Sequence, residues 1–534
     1  MKSFKHFPFV TLIFYALAIN LMLLSGCNSG KTNTGTESNT GEMSNNFEPD
    51  IDIEMVAVEA QAQVLPGEKT RVYTYQAKLL KGEKAALTSL SDTYLGPVIR
   101  VQRGQKIRVR FKNQLPNESV IHWHGLHIPP EMDGHPMHAI SNGEQYIYEF
   151  EVNNRPGTYW FHPHPDKITG PQVYRGLAGM FIVENENDAL PSGKYDKPII
   201  IQDRTFDTDN QLVYVENSRM ARMRGFMGEN ILINGKINQQ EEIEQATYRF
   251  RVLNGSNARI YKLAWSDGSD IIAIATDGGL LEQPVKKPYL MLAPGERVEI
   301  WKDFSGFNTG KKISLKSLSF NPGSSMGMGG MMDGGMMNER MSQTSAIENG
   351  DELTLMQFST SSEKGPQKEI PSQLSHIETL APTKAINQNN PRTFHFAFEH
   401  MEWVINGETF EMNEVAEWEK VKLNTTEIWE FVNGNDGGGM GMMGNMMQMP
   451  HPVHIHGLQF QIIDRDVSGA DPAAWQTVKN GFLDKGWQDT FLLLPGTKAR
   501  VIMRFKDFTG TYIYHCHNLE HEDMGMMRNY EVLK

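Results

Sequence analysis

After residue 50 the pattern of apolar and polar positions predicts strands rather than helices. KIRVRFKN (106–113), ATYRFRVLN (246–254) and TEIWEFVNG (426–434) alternate polar and apolar residues, are filled with Val, Ile, Tyr and Phe, and run into an Asn. No long stretch carries the period of an amphipathic helix. Three similar strand endings, far apart in the chain, predict three copies of one β-sandwich unit. Two gapless repeats refine this. GTYWFHPH (157–164) aligns with GTYIYHCH (510–517), and HWHG (122–125) with HIHG (454–457). The first and last units therefore share a layout that the middle one lacks. Boundaries fall near 190 and 365, the second within the polar stretch SSEKGPQKEIPSQLSH (361–376), giving units of 51–190, 191–365 and 366–534.

The first 27 residues follow another pattern. Lys2 and Lys5 precede an apolar run that ends in Leu24-Ser25-Gly26-Cys27, which reads as an export signal. A membrane-spanning anchor fits less well, because His6, Pro8 and Asn20 shorten the apolar core. The ending resembles the lipobox of bacterial lipoproteins, in which the cysteine is lipidated and becomes the first residue. That resemblance implies an exported chain in the periplasm or cell envelope, held to a membrane through Cys27. Residues 28–50, rich in Ser, Thr, Asn and Gly, read as a flexible tether. A net charge of −13 argues against nucleic acid as a partner. The chain has 2 cysteines; with Cys27 lipidated, Cys516 is the one remaining thiol and has no intramolecular disulfide partner.

Cys516 stands inside one of four His-x-His pairs: His122/His124, His162/His164, His454/His456 and His515/His517. Residues two apart on a strand point to one side, so each pair offers two imidazoles in one direction, a grip suited to copper or zinc. One such pair is weak evidence, since it is often just two satisfied histidines. Four pairs in two repeat-related sets point to metal. The same alternation turns Cys516 away from its neighbours, so one segment can bind one metal through sulfur and others through imidazole. The first repeat has Pro163 at that place. His451, His521 and an axial Met526 are spaced to complete a blue-copper set around the sulfur. A nucleophilic Cys–His pair would leave the other histidines idle. A zinc site would use more cysteines or fewer histidines.

Together HWHG, FHPH, HPVHIHG (451–457) and HCHNLEHEDMGMM (515–527) resemble the four signature motifs of the three-domain multicopper oxidases, over most of the chain after residue 50. The resemblance implies an all-β fold of three consecutive cupredoxin-like Greek-key β-sandwich domains that hold four copper ions. Cys516, His451, His521 and Met526 would hold the type 1 copper; His122 and His454 the type 2; His124, His162, His164, His456, His515 and His517 the type 3 pair. Substrate would reduce the type 1 copper, and electrons would cross from Cys516 to His515 and His517 over a path on the order of 10 Å. The three-copper cluster would then reduce O2 to water. Asp133, in HGLHIPPEMDG (124–134), and Glu522 match acidic residues beside the cluster in relatives and are the implied proton relays. The plainer reading of each is a solvated surface acid. Two-domain nitrite reductases do not need all four His-x-His pairs.

Methionine is the compositional outlier. SSMGMGGMMDGGMMNERM (324–341) has 7 Met among 18 residues, and GGGMGMMGNMMQM (437–449) has 6 among 13. Met–Gly loops can be mere gap-filling, but thioethers select Cu(I) and the second run stops just before His451. Met449, Met447, Asp436, Met332 and Asp333 are the expected ligands of substrate Cu(I). The Met runs, RGLAGMFIVE (175–184) and HEDMGMM (521–527) resemble the cuprous oxidases of bacterial copper resistance. There are departures. Early in the third unit, FHFAFEHMEWVINGETFEMN (394–413) lacks the Met-rich insert of the best-known relative, and the family aspartate ahead of the type 1 histidine is missing, with Met447 near its place. The expectation is an oxidase that converts Cu(I) to Cu(II) at the expense of O2 in copper tolerance. A laccase-like oxidase of phenols is the alternative, with a non-enzymatic copper-sequestering protein behind it.

Overall fold

Each of the three predicted strands occupies the same place in its own sheet. Lys106–Asn113 runs parallel to Ile51–Ala62 and antiparallel to Gln145–Glu151. Thr247–Asn254 lies likewise between Asp196–Phe206 and Arg297–Asp303, and Thr425–Asn433 between Arg392–Glu399 and Lys498–Phe505. The terminal asparagines explain the repeat. Asn113, Asn254 and Asn433 are buried, and each side-chain amide donates to two carbonyls of other segments, tying the strand end to the loops beyond it. A second, five-stranded sheet completes each unit, and apolar side chains from both sheets form one core per unit. The fold is all-β, with three consecutive cupredoxin-like sandwiches. This computed structural model describes residues 46–184, 189–215, 219–323, 347–434 and 448–534. Cys27, Met332, Asp333, Asp436 and Met447 lie outside the described residues. Among those described, no helix is long and apolar enough to cross a membrane.

Leu190 and Leu374 pack in the second core, and Leu380 packs against the third domain's Ile428 and Ile502. The middle strand departs from its pattern. Alternation predicts one wet face for Thr247–Asn254, yet all its residues are buried. Arg249 and Arg251 both donate to Glu299, Arg251 also to Asp196, and Thr158 of the first domain donates to Glu299 at 2.7 Å. Opposite charges and a neighbouring domain cover the polar face, which is how such groups survive burial.

The elements that carry the site are β1 (Ile121–His122), α1 (Pro130–Asp133), β2 (Gly157–Pro163), α2 (Arg219–Arg224), β3 (Arg297–Asp303), β4 (His451–Ile455), β5 (Thr490–Leu493), β6 (Gly510–Cys516) and α3 (Leu519–Asp523). β1 pairs with β2 so that His122 faces His162, and β4 pairs with β6 so that His454 faces His515. The two repeats thus keep one register.

Candidate metal centre

Strand alternation divides the site into two compartments. Cys516 points into the third core, where its Sγ lies 3.4 Å from His451 Nδ1 and 3.5 Å from His521 Nδ1. Met526 is fully buried beside them, and its carbonyl accepts the Cys516 N–H at 3.0 Å. Trp403 covers both rings, 4.2 Å from His521 and 5.1 Å from His451 between centroids. The His521 Nε2–H donates to the Met223 carbonyl on α2 at 3.0 Å, so this imidazole presents no free edge. Burial pushes the Cys516 thiol well above its ordinary range. A nucleophilic cysteine needs the opposite shift, which disfavours that reading.

On the other face of β6 the remaining histidines converge from the first and third domains. His122 Nε2 lies 3.3 Å from His454 Nε2, His456 Nε2 3.1 Å from His515 Nε2, and His164 Nε2 3.4 Å from His515 Nε2. His124 Nδ1 lies 3.4 Å from His162 Nε2, and the His517 ring stands 5.0 Å from His124 and 5.3 Å from His162. All are buried. Burial holds His122, His124, His162, His454 and His456 well below the usual imidazole range, so they are neutral at neutral pH.

Their outward nitrogens fix the tautomers. Backbone carbonyls only accept, so His122 Nδ1, His162 Nδ1 and His454 Nδ1 carry hydrogen toward Asp133 O, Pro163 O and Asp489 O. Asp133, at the end of α1, accepts from His456 Nδ1 at 2.7 Å, and burial pushes its carboxyl well above the ordinary range. Its Oδ1 is buried with no hydrogen-bond partner among the described residues. Glu522 lies 3.1 Å from His515 Nδ1 and 3.5 Å from His164 Nε2. Burial works to raise its pKa, but His164 and His515 beside it outweigh that and hold the carboxyl below its ordinary range. Both predicted relay acids are therefore buried against the cluster and are not solvated surface groups.

Family profiles described as multicopper oxidase match residues 71–188 and 382–534. A multicopper oxidase of Staphylococcus haemolyticus (strain JCSC1435) is 33% identical over 82% of each chain. A laccase of Bacillus subtilis (strain 168) is 30% identical over 84% of this chain and 90% of its own. Among solved structures, the McoA multicopper oxidase of the hyperthermophile Aquifex aeolicus superposes with a TM-score of 0.72 at 31% identity, over 91% of this chain and 97% of that one. The Campylobacter jejuni multicopper oxidase, described as a metallo-oxidase, has a TM-score of 0.69 at 26% identity, over 93% and 96%. The chain belongs to the multicopper oxidase family. Members of the family carry copper and pair O2 with a reducing substrate.

The residues fit that cofactor. The inner nitrogens of the cluster face one another, and both ring nitrogens of His517 have no hydrogen-bond partner among the described residues. Lone pairs crowded together without donors are costly in a protein interior. Neutral imidazoles and one thiol in two compartments are a donor set that copper satisfies. Met449, from the expected substrate ligands, is buried in the third core, where its carbonyl accepts from Asn433.

Sequence reading missed Asp489. It sits at the head of β5 and accepts from His124 Nε2 at 3.1 Å, while its backbone carbonyl takes His454 Nδ1 at 2.8 Å. Arg297 grips both of its carboxylate oxygens, at 2.7 and 2.6 Å. A Cβ on Gly125 would fall 2.2 Å from Asp489 Oδ2, which explains the glycine of HWHG. The available sequence signal was one acid opening an otherwise apolar strand, DTFLLL (489–494).

Proposed function

We propose that this multicopper oxidase oxidises Cu(I) to Cu(II) with O2 as acceptor and lowers copper toxicity in the cell envelope, held to a membrane by lipid on Cys27. Four cuprous ions, one O2 and four protons give four cupric ions and two waters. The observation that carries the reading is the covered edge of His521: its Nε2–H is committed to Met223 O, and both His521 and His451 are fully buried. A bulky phenol cannot rest against that imidazole without displacing α2, whereas a small ion held by thioethers nearby can pass an electron through packed atoms. The Met-rich run ending at Met449, two residues before His451, supports the same reading, as does the metallo-oxidase activity ascribed to the Campylobacter jejuni protein.

In this reading His451, Cys516, His521 and Met526 hold type 1 copper, His122 and His454 type 2, and His124, His162, His164, His456, His515 and His517 the type 3 pair. Bound copper would supply one-electron acceptance at the sulfur compartment and O2 reduction at the histidine cluster. Cys516 shares peptide bonds with His515 and His517, so the compartments are covalently joined. Asp133 holds a proton at its unpartnered oxygen and touches His456; Glu522, an anion beside His515 and His164, takes one up from the opposite side. Met449, Met447, Asp436, Met332 and Asp333 remain the proposed ligands of substrate Cu(I).

The similarity to the Bacillus subtilis laccase favours a second reading, oxidation of phenols. One experiment separates them: O2 uptake with Cu(I) and with a bulky phenol, in the wild type and with residues 324–341 and 437–448 removed. We expect deletion to abolish most Cu(I) oxidation and to spare or raise phenol oxidation. Unchanged Cu(I) oxidation would sink the cuprous reading in favour of the phenol oxidase.

A further inference from the structure

The middle domain, residues 191–365, contains neither histidine nor cysteine, and on ligand chemistry it is a spacer. Its packing says otherwise. The loop ahead of β3 closes against the histidine cluster. Gly295 has φ +85°, and a Cβ there would lie 3.1 Å from His517 and 3.2 Å from His124. Two residues on, Arg297 is fully buried with its side-chain donors engaged: Nε to Thr158 O, Nη1 to Gly295 O and Asp489 Oδ1, Nη2 to Asp277 O and Asp489 Oδ2. The guanidinium therefore bridges all three domains.

A planar fork bound to both oxygens fixes the plane of a carboxylate as well as compensating its charge. The carboxylate so fixed accepts from His124 Nε2–H at 3.1 Å, a hydrogen shared with Thr490 Oγ1 at 3.0 Å, and Thr490 itself donates to the same carboxylate oxygen. The shared hydrogen leaves His124 Nδ1 as the free lone pair facing His162. The backbone carbonyl of the same residue seats His454. We propose that Arg297 is a positioning residue of the copper cluster: through Asp489 it sets the orientation and tautomer of His124 and the seat of His454, so that copper retention by the cluster depends on the middle domain. This rests on the reading that these histidines hold copper.

The test uses full-length, copper-loaded Arg297→Lys and Gly295→Ala. Lysine keeps the charge and loses the fork; alanine disturbs the loop against His124 and His517 and leaves the arginine. Each is dialysed against a graded copper chelator, then assayed for copper per chain, type 2 electron paramagnetic resonance and blue absorption. Melting of the copper-free proteins is measured in parallel. Loss of the partner that orients a ligand costs about 10–100-fold in metal affinity. We expect that loss in the copper held per chain for both variants, with the type 2 signal falling in Arg297→Lys through the seat of His454 and blue absorption per chain unchanged. Wild-type type 2 spectra and retention in both variants would overturn the proposal. So would parallel loss of blue and type 2 copper with a lowered melting temperature, which marks general destabilisation. If Arg297→Lys does not fold, Asp489→Asn, which breaks the second bond of the fork and leaves Arg297 in place, takes its place in the same assays. A wild type without any type 2 signal would instead sink the ligand reading beneath it.

Discussion

The first and third domains carry matching histidines on matching strands, yet only the third builds a sulfur compartment. His122 pairs with His162 as His454 pairs with His515, and Ile121 faces Pro163 as Val453 faces Cys516. The difference lies in four side chains. Where the third domain has His451, Cys516, His521 and Met526, the first has Ser119, Pro163, Ile168 and Val173 at the same spacings. Ser119 is buried and donates its hydroxyl to Gln172, so its place is filled by an ordinary satisfied polar group. Proline has no N–H and cannot make the bond that Cys516 gives to Met526. One face of the strand pair is thus a standing half of a cluster, and the opposite face is a separate decision.

The two domains also exchange supports. Asp133 of the first holds His456 of the third, and Asp489 of the third holds His124 of the first; these two histidines are repeat equivalents. The supports differ in charge compensation. Asp489 is clamped by Arg297, whereas Asp133 has one oxygen without a partner among the described residues. One carboxylate is gripped at both oxygens, the other at one.

Breaking the comparison at the sulfur has the largest expected effect. Cys516→Ser makes the third copy as sulfur-free as the first: blue absorption vanishes and turnover falls to background with every reductant, while type 2 resonance persists. Surviving blue absorption would show that another group supplies the colour. Next comes Asp133→Asn, expected to slow O2 reduction by about 10²–10⁴-fold with blue absorption intact; unchanged turnover would remove Asp133 from the proton path. The same variant has a pH signature. Burial raises the Asp133 pKa in the fold, so this carboxyl favours the folded state most below the ordinary carboxylate range and loses that contribution as pH rises through the folded value. The buried histidines, held low, act in the opposite sense in the copper-free protein and are common to both proteins. Melting curves of the copper-free proteins from pH 4 to pH 7 should therefore show the stability of wild type relative to the variant falling as pH rises.

The smallest effect concerns a surface tie between the two copies, where His127 bonds Gly457 O and the half-exposed Asp507. Burial works to raise the Asp507 pKa, but His127 and Lys506 hold it below the ordinary range. Its contribution is therefore present above that range and lost as pH falls through the folded value. Asp507→Asn should cost under about 1 kcal/mol at pH 7 after solvent screening, and progressively less in acid. A larger penalty by chemical denaturation would mean that the tie does more than pin the surface.

Strands, repeats and imidazole pairs were legible because each depends on spacing along one segment. The alternation that sets Cys516 apart from His515 and His517 is a property of any extended chain. What stayed hidden depends on partners remote in sequence. Asp489 meets His124 across 365 positions and Arg297 across 192, and neither residue carries a local pattern. The wet face predicted for Thr247–Asn254 failed for the same reason: its arginines find Glu299 and Asp196 only after the domains pack. The Met223 cap on His521 is a backbone carbonyl, which no side-chain motif records.

The shared location of the histidine cluster has a consequence for biosynthesis. His122 and His454 approach to 3.3 Å although 332 positions separate them. At roughly 5–20 residues per second of synthesis, that gap is roughly 20–60 s during which a growing chain owns only the first half of the cluster. The sulfur compartment closes later still, once Met526 has been made. Loading therefore follows completion of the chain, and the compartment in which it folds must supply the metal. A product truncated before residue 451 would inherit the first domain's four imidazoles as an unfinished half-site rather than a weaker version of the whole.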